Sequence, residues 1–239
     1  MINCDRFYID GVWVQPESDV LVPIVSPSTE EDIGSVVVGN ADDINRAVSA
    51  ARVAFDVFGK SSVEERLVIL ENLAKEYANR YEDIVQSITQ EMGAPIVLSR
   101  GVQAATGTIH IKTATAILEN YTFEHIQGTS CIVKEPIGVC GLITPWNWPI
   151  NQIALKVIPA FATGCTMILK PSEIAPISGM LFAEMIDETG FPPGVFNLIN
   201  GDGAGVGTNI SGHPDIDMIS FTGSTRAGKL ISKNAADTI

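Results

Sequence analysis

An asparagine held between two prolines is the residue of this sequence best placed to take part in a reaction. Asn147 follows Val139–Ile143, an apolar run rich in β-branched residues that predicts a strand buried on both faces. Pro145 and Pro149 hold it in an irregular turn, so its amide could stabilise an oxygen that becomes negative, an effect of roughly 3 kcal/mol. The alternative is a cap for the helix that starts at Pro149, and local evidence alone favours this cap.

A lysine and a glutamate follow the next apolar run. Thr166–Leu169 predicts a second strand, and Lys170 and Glu173 come after it. A crossover between these two strands brings their ends to the same edge of the sheet, which is where open α/β sheets bind ligands. Lys170 and Glu173 are therefore candidates for binding a cofactor. The alternative is a solvated pair in a loop, the more common environment of these residue types.

Two glycine-rich segments precede later helices. Gly201–Gly207 resembles the G-x-G-x-x-G fingerprint but places Val206 where the third glycine belongs, so both a ligand-binding turn and a flexible turn fit it. Gly223–Lys229 matches the phosphate-binding loop G-x-x-x-x-G-K, but Leu230 stands where a serine or threonine must bind magnesium. Phosphoryl transfer is therefore disfavoured, whereas the amino end of this helix could hold a pyrophosphate.

The cysteines and histidines form no recognisable site. They are Cys4, Cys131, Cys140, Cys165, His110, His125 and His213. Because there is no Cys-x-x-Cys pair and no histidine at ligand spacing, the sequence signals neither a zinc site nor a disulfide framework, and we expect no metal. We interpret the cysteines as small apolar residues with reduced thiols, which fits a cytosolic protein.

These candidate residues require strands and helices that bring them to one edge. An apolar helix from Pro149 to Gly164 joins the two strands, and strands and helices continue to alternate after it. The predicted fold is a doubly wound, parallel α/β sheet of the Rossmann type. The later strands are expected at 196–199 and 218–221, and the later helices at 176–189, 204–211 and 225–236.

The residues before this sheet predict a smaller segment of strands and helices. Asp10-Gly11 favours a type I′ turn in a hairpin over Phe7–Val14, and a second strand pair is expected at 20–25 and 33–38. We expect these strands to form a lobe ahead of the main domain.

Helix caps and a second hairpin complete the predicted elements. Asn40 and the capping box Ser62-x-x-Glu65 mark the starts of two helices. Further helices are expected over 84–92, ended by Gly93, and over 97–118, with a projecting hairpin over 121–133. We divide the chain into an N-terminal segment (1–119), the hairpin (120–137) and a dinucleotide-binding domain (138–239).

The composition excludes several classes of protein. The chain has 239 residues, of which 46% are hydrophobic, enough for a substantial core. With 28 acidic against 15 basic residues and a formal charge of -13, it lacks the clustered cations that bind nucleic acid or an anionic membrane. No apolar run reaches the roughly 18 residues of a membrane helix, and Met1–Asp5 does not resemble a signal sequence, so a soluble cytoplasmic protein is expected.

Four spaced motifs resemble, in the same order, those of the NAD(P)-dependent aldehyde dehydrogenase superfamily. They are Thr144–Pro149, Lys170–Glu173, Gly190–Asn197 and Phe221–Thr225, and the resemblance extends from Phe7–Val14 to the last helix. It implies oxidation of an aldehyde to a carboxylic acid with NAD, through a cysteine thiohemiacetal, in a homo-oligomer joined by the projecting hairpin. It also implies that Asn147 binds the oxyanion, which reverses the local preference for a helix cap.

The resemblance implies a cofactor site at the predicted sheet edge. In the family, the residues equivalent to Lys170 and Glu173 bind the adenine ribose, and a carboxylate there repels a 2′-phosphate, so NAD is expected rather than NADP. The equivalents of Gly203 and Gly207 lie near the adenine, and Gly-Ser-Thr at 223–225 holds the pyrophosphate. The cofactor-binding residues implied are Ile143, Thr144, Pro145, Trp146, Lys170, Ser172, Glu173, Gly203, Gly207, Phe221, Gly223, Ser224 and Thr225.

Two parts of the family's mechanism match no residue of this sequence. The general-base glutamate of the family lies in a Leu-Gly-Gly context that would follow Ile239, and the cysteine nucleophile comes later still. We therefore expect a truncated, NAD-binding half that is inactive by itself. The alternatives are a non-catalytic module for dinucleotide binding or subunit interaction, and a P-loop nucleotidase, which Leu230 disfavours.

Overall fold

The computed structural model describes residues 2–238, which form three β-sheets with helices packed against them. The strands are β1 (Ile2–Cys4), β2 (Phe7–Ile9), β3 (Val12–Val14), β4 (Leu21–Val25), β5 (Asp32–Val37), β6 (Glu124–Gln127), β7 (Ser130–Val133), β8 (Val139–Ile143), β9 (Thr166–Lys170), β10 (Phe196–Leu198) and β11 (Met218–Phe221). The α-helices are α1 (Ala41–Phe58), α2 (Val63–Asn79), α3 (Tyr81–Met92), α4 (Ile96–Leu98), α5 (Ala104–Glu119), α6 (Pro149–Ala162), α7 (Ile177–Asp187), α8 (Thr208–Ser211) and α9 (Thr225–Ala235). Wider π-helical turns at Ser99–Gln103 and Gly203–Gly207 lead into α5 and α8, and a 3-10 turn at Ala236–Thr238 follows α9.

The central sheet has six strands in the order β11, β8, β9, β10, β2, β3. Its first four strands are parallel to one another, as the alternation of strands and helices predicts. β8 and β9 are buried along their whole length, as expected for the central strands of a parallel sheet with both faces covered. The prediction of a doubly wound parallel α/β sheet is confirmed.

Helices cover both faces of this sheet. On one face, Cys140 and Leu142 of β8 join a core formed with α2, α3, α5, α6 and α7. On the other face, Val139 and Ile143 of the same strand pack with residues of α1 and α8. Alternate residues of one strand thus enter two different cores, which is the period-2 pattern of an extended chain.

The hairpin of β2 and β3 is not part of a separate lobe, and that expectation is wrong. Its turn forms as predicted, with Asp10 and Gly11 at φ values of 55° and 76°. However, Tyr8 pairs with Leu198 in an antiparallel arrangement, so β2 extends the central sheet beyond β10. The physical reason is burial: all three residues of Phe7–Ile9 are buried, and a buried strand must pair its backbone groups with a neighbour.

The smaller N-terminal sheet has the order β1, β5, β4. The antiparallel pair of β4 and β5 is the predicted one: β4 starts one residue later than expected, and β5 starts and ends one residue earlier. Parallel pairing of β1 with β5 is an addition that the sequence does not signal, because three residues show no periodicity.

The helix ends follow the local signals. Asn40 and Asp43 form a reciprocal capping box at the start of α1, and Ser62 and Glu65 form one at the start of α2. Gly93 ends α3 in the left-handed conformation at φ 77°. The predicted helix over 97–118 is regular only from Ala104, because the backbone first makes the π-helical turn.

The predicted hairpin of β6 and β7 is present, and every residue of its two strands is exposed. The division of the chain at 119/120 and 137/138 remains a prediction. Within residues 2–238, no helix has both the length and the apolar character needed to cross a bilayer.

Candidate functional site

The carboxyl ends of the parallel strands meet at one edge of the central sheet. Ile143 at the end of β8 is paired with Lys170 of β9 on one side and with Phe221 of β11 on the other. Beyond the strands, the backbone N–H of Thr144 donates to the carbonyl of Lys170 at 3.1 Å. That of Thr222 donates to the carbonyl of Ile143 at 3.2 Å. The loops that carry the predicted site residues therefore start side by side.

Lys170 is buried beside Glu173. The lysine side chain is 3% exposed, and its Nζ lies 3.2 Å from Oε2 of Glu173, which is 32% exposed. Burial lowers the pKa of Lys170, and the carboxylates of Glu173 and Asp202 act in the opposite direction. A solvated pair in a loop is therefore the wrong interpretation of Lys170, and the partly open Glu173 can meet a ligand.

The loop after Lys170 is ordered by its own hydrogen bonds. Ser172 is buried, its hydroxyl accepts from the backbone N–H of Ile174 at 3.3 Å, and its carbonyl accepts from that of Ala175 at 3.1 Å. These bonds make a tight turn between β9 and α7. Glu173 lies inside this turn, so its backbone is fixed on both sides.

A cavity of about 620 Å³ opens between the glycine-rich segment, the end of β8 and α9. Five of the predicted cofactor-binding residues line it, namely Ile143, Gly203, Gly207, Phe221 and Ser224. The rest of its wall includes the polar side chains of Thr208, Ser211, Arg226 and Asn234. The other predicted residues do not line this cavity: Lys170 ends β9, Thr225 begins α9, and the neighbouring loops carry Thr144, Pro145, Trp146, Asn147, Ser172, Glu173 and Gly223.

The glycine-rich segment is held by Asp202. Its carboxylate accepts from the backbone N–H groups of Gly205 at 2.8 Å and Val206 at 3.3 Å, and so caps the π-helical turn. A Cβ added to Gly203 would meet no atom within 4 Å. Packing therefore does not require a glycine at position 203. The absence of a side chain there leaves open space in the cavity wall for a ligand.

The amino end of α9 lies at the same cavity, and both the helix dipole and Arg226 make this end positive. Ser224 caps the helix by accepting from the backbone N–H of Ala227 at 3.2 Å, and the guanidinium-bearing Arg226 lines the cavity. A helix amino end of this kind attracts anions. By contrast, the N–H of Gly228 is bonded to the carbonyl of Ser224 at 2.9 Å, inside the helix. Gly228 and Lys229 therefore do not form the phosphate-cradling loop of a P-loop nucleotidase.

Asn147 does not cap the following helix. The N-cap position of α6 is Trp148, which makes no side-chain cap, so the local interpretation of Asn147 as a helix cap is wrong. Its side chain is exposed and has no hydrogen-bond partner among residues 2–238. Trp146 is 46% exposed next to it. The amide at this strand end is therefore free to bond to something else.

Lys156 is a buried charge that sequence reasoning misses. Its side chain lies between α6 and β11, and its Nζ donates to the hydroxyl of Ser220 at 3.1 Å. Burial lowers the pKa of Lys156. The signal that could have found it is its isolation: Lys156 is the one charged residue in the sequence of α6. A perturbed lysine next to the strand ends marks a candidate functional residue.

The cysteines lie away from this edge. Cys4, Cys140 and Cys165 are buried, and Cys165 precedes β9 at the opposite end of the strand from Lys170. Burial raises the pKa of Cys4 to about 12. Cys131 is exposed on β7, where a hydrogen bond to Glu124 raises its pKa. Among the described residues, no thiol faces the cavity at the strand ends.

A larger cavity of about 880 Å³ lies elsewhere, between α1, α2 and the loop at Pro192 and Pro193. It is lined mainly by apolar side chains such as Val53 and Val57, and it lies away from the carboxyl ends of the strands. We therefore locate the candidate site at the strand ends, where buried charge, a helix amino end and free polar groups converge.

Comparison with known proteins shows extensive similarity. A model of the aldehyde dehydrogenase family matches residues 13–239. Among curated proteins, a 3-succinoylsemialdehyde-pyridine dehydrogenase from a Pseudomonas species is 52% identical over 235 residues, which are 98% of this chain and 49% of that protein. The chain thus spans about half the length of the curated relatives it matches.

Solved structures resemble this chain over the same extent. The aldehyde dehydrogenase of Bartonella henselae has a TM-score of 0.98 at 49% identity, covering 100% of this chain and 51% of that one. A mutant of aldehyde dehydrogenase C from Pseudomonas syringae, solved with NAD+ and octanal, has a TM-score of 0.97 at 47% identity, covering 99% and 49%. Betaine aldehyde dehydrogenase from Staphylococcus aureus, solved with NAD+, has a TM-score of 0.94 at 34% identity, covering 98% and 48%.

Proposed function

Because this chain belongs to the aldehyde dehydrogenase family, we propose that the whole protein oxidises an aldehyde to a carboxylic acid with NAD as the electron acceptor. One observation carries the proposal. The register of β9, β8 and β11 sets Lys170, Ile143 and Phe221 side by side, at the edge where the glycine-rich turn and the amino end of α9 enclose a cavity. This is the place where doubly wound sheets bind dinucleotides.

The residues present fit a dinucleotide by type and by space. Gly203 and Gly207 would allow the adenine side to approach the backbone, and the start of α9 at Ser224, with Arg226 nearby, would hold the two phosphates. When bound, NAD supplies an acceptor for the hydride that leaves the substrate carbon. The contribution of this chain is to bind and orient it.

Glu173 favours NAD over NADP in this proposal. Its carboxylate is paired with the buried Lys170 and remains 32% exposed, so it can accept from a ribose hydroxyl. A phosphate on the same ribose position would meet this negative charge and be repelled. The neighbours solved with NAD+ are consistent with this preference.

Asn147 would stabilise the negative oxygen formed when a thiolate attacks the aldehyde carbon. Its amide is exposed, and no described residue occupies its hydrogen-bonding groups. The thiolate and the base that activates water have no candidate at this edge among residues 2–238. We therefore propose that residues 1–239 bind the dinucleotide without oxidising aldehydes by themselves.

The test is a titration of the 239-residue protein with NAD and NADP, followed by intrinsic fluorescence or calorimetry. We expect NAD to bind more tightly, and Glu173→Gln to reduce the preference by about tenfold, since a charged hydrogen bond to the hydroxyl and the repulsion of the phosphate are both lost. Glu188→Gln, which changes an exposed carboxylate at the carboxyl-terminal end of α7, is the matched control and should change neither affinity. Equal affinities of the wild-type protein for both dinucleotides would refute the assignment of Glu173.

We further propose that the β6–β7 hairpin joins copies of the protein. Both strands are exposed on every residue, and Ile126 is 70% exposed on an unpaired edge, which soluble proteins normally cover. Sedimentation of Ile126→Glu should show a lower association state than wild type. An unchanged association state would exclude the hairpin as the contact.

We also propose a cytoplasmic location. All four cysteines are free, and Cys131 is exposed, as suits a reducing compartment. Fractionation of cells that produce the protein tests this location, and recovery outside the cytoplasm would contradict it.

A further inference from the structure

Glu91 is a buried carboxylate that forms no salt bridge with any of the described residues. It lies at the end of α3 and is 1% exposed. Its Oε2 accepts from the backbone N–H of Ile177 at 2.6 Å, and its Oε1 accepts from the backbone N–H and the hydroxyl of Ser178. Burying a carboxylate is costly unless hydrogen bonds compensate for it, so this placement requires an explanation.

All three donors belong to the first turn of α7. That helix has Pro176 at its N-cap position, and Pro176 provides no side-chain cap. Glu91 supplies the missing cap from another helix, and when it is ionised its negative charge lies at the positive end of the α7 dipole. The first turn of α7 is thus fixed to α3.

This same turn contacts both loops of the proposed adenosine side. Gly179 lies against the ring of Pro171, and a Cβ added to it would come within 2.9 Å of the Pro171 ring. Pro171 directly follows Lys170. Met180, on the same turn, contacts Asn200 through its sulfur, 3.3 Å from the amide nitrogen. Asn200 leads into the glycine-rich segment.

The first turn of α7 is also linked to Glu173 through the polypeptide chain itself. The turn that carries Ser172 and Glu173 is anchored at one end by Lys170, in register with β8, and at the other by Ile177, bonded to Glu91. A fraying first turn of α7 would release the second anchor. The exposed carboxylate of Glu173 would then lose its fixed direction.

We propose that Glu91 is a positioning residue for the adenosine subsite: by capping α7, it holds Pro171 and the turn that aims Glu173 at the ribose hydroxyls. This inference rests on the proposed function, since it assigns Glu91 a part in dinucleotide binding. Glu91 itself touches no ligand.

The experiment compares AMP with 2′-deoxy-AMP as ligands of the 239-residue protein. The ratio of their dissociation constants reports whether Glu173 engages the hydroxyl, and we expect roughly tenfold in the wild-type protein. In Glu91→Gln the ratio should fall to about twofold, close to that of Glu173→Ala, because loss of a helix cap frees the turn. A merely structural role predicts instead that both nucleotides weaken together and that the ratio is kept.

The matched control is Glu65→Gln. Glu65 also caps a helix through its carboxylate, which accepts from the N–H of Ser62 at 2.8 Å, but α2 starts away from the strand ends. It should keep the wild-type ratio. Ser178→Ala, which leaves the carboxylate bonded to the backbone, should give an intermediate ratio, and it decides the question if Glu91→Gln does not fold.

The outcomes separate the two claims. If wild-type protein does not bind AMP, the proposed dinucleotide site is wrong, and the inference falls with it. If wild-type protein discriminates between the two nucleotides and both Glu91→Gln and Ser178→Ala keep the same ratio, the inference alone is overturned. A reduced ratio in these variants, with Glu65→Gln unchanged, supports it.

Discussion

Two neighbouring parts of the sheet edge differ in how the fold holds them. The segment at Lys170–Glu173 is buried except for the partly exposed Glu173, is internally hydrogen-bonded, and is fixed at its ends by β9 and the capped α7. The turn at Pro145–Trp148 carries an exposed tryptophan and an asparagine whose amide has no partner in the part of the chain described. Packing thus fixes the groups proposed to bind the cofactor, whereas the amide of Asn147, the proposed oxyanion donor, is left without a protein partner among the described residues. Pre-positioned donors that are not satisfied by the protein itself are what transition-state stabilisation requires.

The largest predicted effect concerns Glu91, the buried residue that fixes the start of α7, and it is a dependence of the unfolding free energy on pH. Burial raises the pKa of Glu91 from 4.5 to about 7, against the opposing effect of its hydrogen bonds with Ser178 and Ile177. The native state then binds a proton that the unfolded chain has released, so the contribution of Glu91 to stability is present below pH 4.5 and is lost as pH rises to 7. The corresponding free energy is about 3 kcal/mol.

Urea unfolding of wild type and Glu91→Gln between pH 4.5 and 8 measures this contribution. The difference in unfolding free energy should decrease as pH rises through this window and then level off. The charge of Glu91 acts on the Cys4 thiol of β1, and this thiol, with a pKa of about 12, stays neutral throughout. Parallel stability curves for the two proteins would show that Glu91 is already ionised at pH 5.

Removal of the buried ammonium should have the next largest effect. We expect Lys170→Met to weaken NAD binding by roughly 30-fold, about 2 kcal/mol, because Glu173 loses the partner that holds it and the ribose loses a donor. Lys229→Met removes an exposed charge from α9 and serves as the control. Comparable losses in the two variants would mean that Lys170 acts only through the overall charge of the site.

A smaller effect of opposite sign is expected at Lys156, the buried lysine of α6. Lys156 has one neutral partner, Ser220, and burial lowers its pKa, so its contribution to stability is lost as pH falls below 10.5. Lys156→Met should therefore raise the unfolding free energy at pH 7 by about 1 kcal/mol, with a gain that disappears towards pH 10.5. Thermal unfolding at both pH values measures it. Destabilisation at pH 7 would show that the bond to Ser220 outweighs desolvation.

Removal of the exposed Asn147 side chain is expected to have almost no effect on the stability of the protein. Asn147→Ala should change the unfolding free energy by less than about 0.5 kcal/mol and leave NAD affinity within about twofold. Asn197 is the matched contrast, because it is buried and bonds to Asp10, Met167 and Gly194. Asn197→Ala should cost about 3 kcal/mol. A large loss in Asn147→Ala would mean that its amide holds the turn rather than awaiting a ligand.

Local features of the fold were predictable from the sequence. The Asp10-Gly11 turn, the capping boxes at Asn40 and Ser62, and the left-handed Gly93 each depend on residues within one turn of each other. Such signals carry their own physical reason, since the side chain satisfies a backbone group a few positions away. The parallel strands were predictable for a similar reason, because their apolar runs are continuous.

Features that depend on distant partners were not predictable. Pairing of Tyr8 with Leu198, burial of Lys156 against Ser220, and the cap that Glu91 gives to α7 each join segments far apart in the chain. Nothing in the spacing of these residues signals the partner. The site shows the same division: the strand ends that carry Lys170 were predictable, whereas the groups that hold its loop in place were not.

The antiparallel pairing of β2 with β10 has a consequence for biosynthesis. The β2–β3 hairpin leaves the ribosome long before β10, the strand that it must pair with. A pairing of such high contact order is slow to form, and the buried residues of the hairpin stay open to wrong partners in the meantime. We expect the nascent chain to depend on chaperone protection until β10 has emerged.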